Sequence, residues 1–111
     1  MPKSLILSDL MDVITQRKAN ARAETSYVAS LMTGGVPKIG EKILEEAAEV
    51  VEAAAEPGSA GREHLVREVA DLVFHAMVLL GYRDLHWDQV EEELGRRAGL
   101  SGIAEKASRE V

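Results

Sequence analysis

Between Val69 and Leu80 the chain reads Val-Ala-Asp-Leu-Val-Phe-His-Ala-Met-Val-Leu-Leu, and ten of these twelve residues are apolar. Wound as a helix, the apolar side chains go right round the axis. Such a segment belongs where other elements cover it on nearly all sides. Asp71 and His75 interrupt it at i,i+4, and Glu68 lies one turn before Asp71. A buried ionised carboxylate takes a partner or a metal, or it neutralises. No Lys or Arg shares that sector of the helix, and Arg67, the closest, lies off its edge.

The rest of the chain reads as the bundle such a helix needs. Alternating β-branched and aromatic runs, the mark of strands, are nearly absent. Ser8 is placed to cap a first helix in which Leu10, Val13, Ile14 and Arg17 recur at helical spacing. The polar stretch 20–25 ends it. Ser26 precedes a short apolar segment, Tyr27 to Met32, and Thr33-Gly34-Gly35 breaks the chain. Pro37 suits the first turn of a long helix running to about Glu56. Pro57-Gly58-Ser59-Ala60-Gly61 reads as the connection to the next, from about Arg62 to Leu80. A last helix begins near Trp87 and ends by Gly99. The expected fold is all-α, an antiparallel bundle of four to five helices. Long helices in so short a chain leave an apolar face, so a homodimer or higher homo-oligomer is expected.

The chain has 111 residues, too few for two domains each with its own core, so 1–111 is read as one domain with a loosely ordered tail from about 101 to 111. Thirteen basic residues against nineteen acidic ones leave a net charge of −6, which argues against nucleic acid as a partner. Cysteine is absent, which removes thiol catalysis and Cys-based zinc sites and fits a reducing, cytoplasmic setting. No apolar run approaches the roughly 18 residues that would span a membrane, and the start carries no signal-peptide pattern.

The glutamates concentrate on the long helix before Pro57, at Glu41, Glu45, Glu46, Glu49, Glu52 and Glu56. Lys42, Glu45, Glu46 and Glu49 fall within about a 100° sector. Glu41/Glu45, Glu45/Glu49 and Glu52/Glu56 are like-charge pairs at i,i+4, each unfavourable by about 0.2–0.5 kcal/mol in an isolated helix. On the following helix, His64, Glu68, Asp71 and His75 share a sector about 60° wide. If the two helices pack antiparallel, Glu45, Glu46 and Glu49 face Glu68 and Asp71. Two carboxylates about 5 Å apart repel by roughly 3 kcal/mol at an effective dielectric near 20. Either other helices supply cations, or a divalent ion neutralises the cluster. Oxygen donors without cysteine favour magnesium, with manganese as a substitute. Magnesium retains waters and binds phosphates, so metal-assisted chemistry on a phosphorylated substrate is expected.

Glu45-Glu46-Ala47-Ala48-Glu49 followed by Glu68-Val69-Ala70-Asp71 resembles the Glu-Glu-x-x-Glu … Glu-x-x-Asp signature of the MazG-like all-α nucleotide pyrophosphohydrolases. More of the chain is similar to one branch, the phosphoribosyl-ATP pyrophosphohydrolases of histidine biosynthesis. The similarity extends over Ser26-Tyr27-Val28-Ala29-Ser30-Leu31, over Lys38, Ile39 and Lys42, and over His64 to Leu72 with Phe74-His75. It continues in the ending from Gly99 to Arg109. The family often has a lysine pair where this chain has Glu41-Lys42, so phosphate contacts carry over only to Lys38 and Lys42. The resemblance implies hydrolysis of phosphoribosyl-ATP to phosphoribosyl-AMP and pyrophosphate with magnesium, in a helical dimer in the cytoplasm.

Glu46, Glu49, Glu68 and Asp71 are the expected metal ligands, because i,i+3 spacing points two residues of each helix at one ion. Glu45 is the candidate general base, or else a further ligand. Lys38 and Lys42, near the start of their helix, are assigned to phosphate. Tyr27 either borders the nucleotide or packs; His75 either orients Asp71, contacts substrate, or is a core histidine. His64 and His86 read as surface residues and Trp87 as a packing residue. Arg96, Arg97, Lys106 and Arg109 make a basic end that either reaches a phosphate or is unstructured. Two other functions remain: a housekeeping nucleoside-triphosphate pyrophosphohydrolase of the same fold, and a non-catalytic helical interaction module.

Overall fold

The computed structural model describes residues 6–20 and 22–98. They form four helices: α1 (Ile6–Asn20), α2 (Tyr27–Ala54), α3 (Gly58–Tyr82) and α4 (Trp87–Ala98). Among the described residues there is no strand. Among the same residues, no helix is long and apolar enough to cross a membrane. The expected all-α bundle is present, with its two central segments fused. The tail 101–111 lies outside the described residues, as do Lys106 and Arg109.

Ser26 starts α2. Its backbone is extended and its hydroxyl accepts from the Ala29 N–H at 3.2 Å, satisfying one of the free donors of the first turn. The expected break at Gly34-Gly35 is a kink within α2. Gly35 has φ 70° and ψ −163°, a combination open in practice only to glycine. An added Cβ there would also meet the Tyr82 hydroxyl at 3.3 Å. Pro37 follows two residues later, where a helix restarting after the break has no use for its missing N–H. Three boundaries differ from expectation. Ser8 lies inside the first turn of α1 instead of capping it. α2 stops at Ala54, two residues before Glu56. α3 begins at Gly58, four residues before Arg62. The connection is therefore only Ala55 to Pro57. Gly61 makes this tightness possible, since an added Cβ would lie 2.3 Å from the Glu56 carbonyl oxygen.

α2 and α3 run antiparallel as the hairpin around which the rest is built, at about 1.5 Å per residue. The core sits at one end of it. Met11 and Ile14 of α1, Val28, Leu31 and Ile39 of α2, and Met77 and Val78 of α3 form the buried cluster, with Trp87 packed against it. Gly81 lets α1 approach, because Cγ2 of Ile14 and Cε of Met11 would each lie 3.2 Å from a Cβ at that position. Lys18 ties the same end together. Its ammonium donates to the carbonyls of Gly81 and Tyr82 at 2.9 and 3.0 Å and pairs with Asp84 at 2.9 Å, adding side-chain donors to the last carbonyls of α3.

This arrangement corrects the reading of Val69–Leu80 as a segment covered on nearly all sides. His75, Met77 and Val78 are buried, but Val69 is 41% exposed, and Ala70 and Asp71 are exposed too. α1 meets α3 near Gly81, ten residues beyond Asp71, or about 15 Å along the axis. Among the described residues, no helix covers the outer side of the earlier half. The expectation that Asp71 is buried fails for the same reason.

Candidate metal centre

The hairpin brings the second half of α2 back along the first half of α3, and the carboxylates meet there. Glu46, Glu68 and Asp71 each offer one oxygen, and all three oxygens lie within 4.8 Å of one another. Glu49 joins them through Glu68. A hydrogen bond between the two carboxyls, then the Glu68 charge, holds the Glu49 carboxyl above its ordinary range. The side chain of Glu68 is 12% exposed. One oxygen of Glu46 and one of Glu68, the Oε1 atoms, are buried without any hydrogen-bond partner.

Two facing carboxylate charges at this separation repel by roughly 3 kcal/mol at an effective dielectric near 20. Buried acceptors without donors add a desolvation cost. A hard divalent cation removes both costs at once, since it takes oxygen ligands and neutralises the charge. The residues present fit such an ion. An apolar groove of about 530 Å³, lined by Ile43, Ala76, Leu79, Leu80 and Trp87 among others, includes none of these carboxylates.

Of the other expected site residues, Lys42 lies 3.4 Å from Glu45, its i,i+3 neighbour, and both side chains are partly exposed. The Glu45 carboxylate beside it raises the Lys42 ammonium above its usual value. Lys38 folds back over Gly34 and donates to the Ser30 hydroxyl at 3.0 Å. Its ammonium thus belongs to the kink, with no contact to the carboxylates among the described residues.

Tyr27, in the first turn of α2, is 51% exposed, yet its hydroxyl lies 2.7 Å from Nε2 of the buried His75. Nδ1 of His75 lies 2.8 Å from the backbone carbonyl of Asp71. Phe74 stacks on the Tyr27 ring at 6.2 Å between centroids. Desolvation pushes the Tyr27 phenol up; Lys42 offsets part of the rise, while Glu46, Glu45 and Asp71 add to it. Through His75 the phenol is linked to the backbone of Asp71, at the edge of the acidic cluster.

His64, expected at the surface, is partly exposed and contacts two carboxylates of the hairpin. Its Nδ1 is 3.0 Å from Oε2 of Glu56, and its Nε2 is 3.3 Å from Oε2 of Glu68. The bond to Glu56 is the main cause that raises its imidazole pKa. Its i,i+4 spacing to Glu68 was the available signal. Glu56, across the hairpin turn, was not visible as a partner. His86 joins Asp12 of α1 at 2.9 Å and is structural. Arg96 and Arg97 pair with Glu93 on α4.

An all-α hairpin with an acidic cluster able to hold a divalent cation is the architecture of the all-α nucleotide pyrophosphohydrolases. The sequence model of the phosphoribosyl-ATP pyrophosphohydrolase family matches residues 7–98. A phosphoribosyl-ATP pyrophosphatase of Rhodopirellula baltica is 50% identical over 98% of this chain and 91% of its own length. One of Geotalea daltonii is 53% identical over 95% of each chain, and one of Neisseria meningitidis is 50% identical over 94% of each. The chain belongs to the phosphoribosyl-ATP pyrophosphohydrolase family.

Proposed function

We propose that this protein hydrolyses phosphoribosyl-ATP to phosphoribosyl-AMP and pyrophosphate, a step of histidine biosynthesis. The observation that carries the reading is the meeting of Glu46, Glu68 and Asp71 within 4.8 Å, with buried oxygens that lack donors, in a chain of this family. Glu46, Glu49, Glu68 and Asp71 hold the cation, magnesium by the hardness of the donors, with manganese as a substitute. When bound, the ion supplies charge neutralisation at the phosphate oxygens and at the attacked phosphorus.

The protein's own side chains do the rest. Glu45 is exposed beside Lys42 and outside the tight carboxylate cluster, free to take the proton of the attacking water. Lys42 supplies positive charge one turn before the acidic motif, and Lys38 can leave Ser30 for an anionic ligand, because its tether is a single exposed hydrogen bond. Tyr27 and His75 form the wall of the site on the side of the α2 start.

The bare apolar side chains of Leu44, Val51, Val66 and Val69 along the hairpin support a homodimer or higher homo-oligomer that covers them. The shared core supports reading 1–111 as one domain, and the absence of cysteine supports a cytoplasmic setting.

Pyrophosphate release from phosphoribosyl-ATP, measured with and without magnesium and against ATP and dUTP, tests the activity. Magnesium-dependent release from phosphoribosyl-ATP that Glu46→Gln and Asp71→Asn abolish is expected. Release mainly from ATP or dUTP would move the chain to a general nucleotide pyrophosphohydrolase, and no release from a folded sample would leave an interaction module.

A further inference from the structure

For a neutral ring, the hydrogen bonds around His75 take their direction from what each partner can donate. The Asp71 backbone carbonyl only accepts, so Nδ1 of His75, 2.8 Å away, carries the proton. In the neutral ring Nε2 is then a bare acceptor. The Tyr27 hydroxyl, 2.7 Å from Nε2, must donate to it. A phenol has one proton, and here it is committed. What remains at the Tyr27 oxygen is acceptor capacity alone.

We infer that His75 is a positioning residue that turns the Tyr27 hydroxyl into a dedicated acceptor, so that Tyr27 binds a donor group of the substrate, a sugar hydroxyl or an exocyclic amine, and not phosphate. The inference rests on the proposed activity for the identity of the ligand, but the bond polarity does not depend on it.

Three further observations favour this. His75 is 6% exposed and edge-on to both Tyr27 and Phe74, so neither ring can turn freely. Tyr27 itself remains 51% exposed, open on its outer side to a ligand. Phe74 stacks on the Tyr27 ring from the adjoining position of α3, which holds the hydroxyl toward Nε2. A phosphate oxygen meeting this atom would set acceptor against acceptor beside Glu45 and Glu46. The arrangement therefore orients the nucleotide: its phosphates lie toward Lys42 and the cation site, and its hydroxyl- or amine-bearing part lies toward Tyr27. His75 does this without touching the ligand.

Two measurements on the full-length protein test it. The first is the tautomer of His75 in ligand-free protein, read from ring nitrogen shifts by long-range nitrogen–proton NMR. A protonated Nδ1 and a bare Nε2, with the Nε2 signal moving in Tyr27→Phe, is expected. An Nε2–H tautomer or a cationic ring overturns the proposal, because Tyr27 would then accept from His75 and keep its proton for phosphate. The second is kinetic, on whichever nucleotide the wild type hydrolyses. Tyr27→Phe and His75→Asn should each raise KM about tenfold with kcat within about threefold, the loss of one ligand hydrogen bond. Combined, they should do no more than either alone. His75→Gln, which restores an acceptor near the Nε2 position, should recover most of the loss. A fall in kcat at unchanged KM, or no effect of Tyr27→Phe, also overturns it. Failure of wild-type activity on phosphoribosyl-ATP would leave the NMR result standing and remove only the named substrate.

Discussion

Glu68 has one oxygen buried without a partner, another near His64, and two more carboxyls against it. A bound cation would relieve this crowding, which sets a residue-scale expectation. Adding magnesium to metal-free protein should raise the melting temperature, by about 1.4 kcal/mol of stability at ten times the dissociation constant. Glu68→Gln should remove that increment and lower pyrophosphate release by two orders of magnitude or more, while melting no earlier than wild type in metal-free buffer. A magnesium increment that survives in Glu68→Gln would show that the ion sits elsewhere. The carboxylates themselves were legible in the sequence, because i,i+3 and i,i+4 spacing is a property of one helix. The role of His64 was not, since its Glu56 partner lies across a turn whose length spacing alone does not specify.

Within the elements, glycines and caps set the geometry on which those residues depend. Gly61 packs against the Glu56 backbone where α2 hands over to α3. Gly61→Ala should cost about 1–3 kcal/mol, as overpacking against rigid atoms does. It should also weaken magnesium binding, because prising the hairpin apart separates Glu49 from Glu68. Urea unfolding and magnesium titration of the same variant check both halves, and a stable variant with unchanged magnesium affinity would show that the turn has slack. On α4, Arg96 and then Arg97 hold the Glu93 carboxyl below its ordinary value. The pairing is fully present above the ordinary carboxylate range and is lost as pH falls through the depressed value. A carboxyl-carbon NMR titration should therefore give Glu93 a midpoint below that of the free side chain, and α4 should lose order only at that lower pH. A midpoint at the ordinary value would remove the pairing from the account of α4. Pro57-Gly58-Ser59-Ala60-Gly61 reads as a connection, yet α3 takes in Gly61, while Gly58 keeps the left-handed backbone of a turn at φ 76°.

At the scale of the molecule, the core lies at one end and the site toward the other, beside bare apolar side chains. Leu44, Val51 and Val66 are 74%, 70% and 69% exposed, and they flank the acidic hairpin. Leu44→Glu or Val66→Glu should shift the protein from oligomer to monomer by light scattering, with the α1-centred core intact. A wild type that is monomeric at micromolar concentration would show that this face needs no cover. The same geometry accounts for Asp71, which reads as buried from the apolar run around it and proves exposed within one chain.

Whatever depends on order along one helix could be read from the sequence alone. That includes the all-α class, the break at Gly35 with Pro37 after it, and the two acidic motifs. These follow from backbone preferences and a 3.6-residue period, which act locally. The tertiary structure alone decided what depends on where α1 lands and how closely the hairpin closes: which half of Val69–Leu80 is covered, which carboxylates meet, and that Tyr27 and His75, 48 residues apart, are hydrogen-bonded. Periodicity says that a face is apolar and carries charges. Only packing says what stands opposite it.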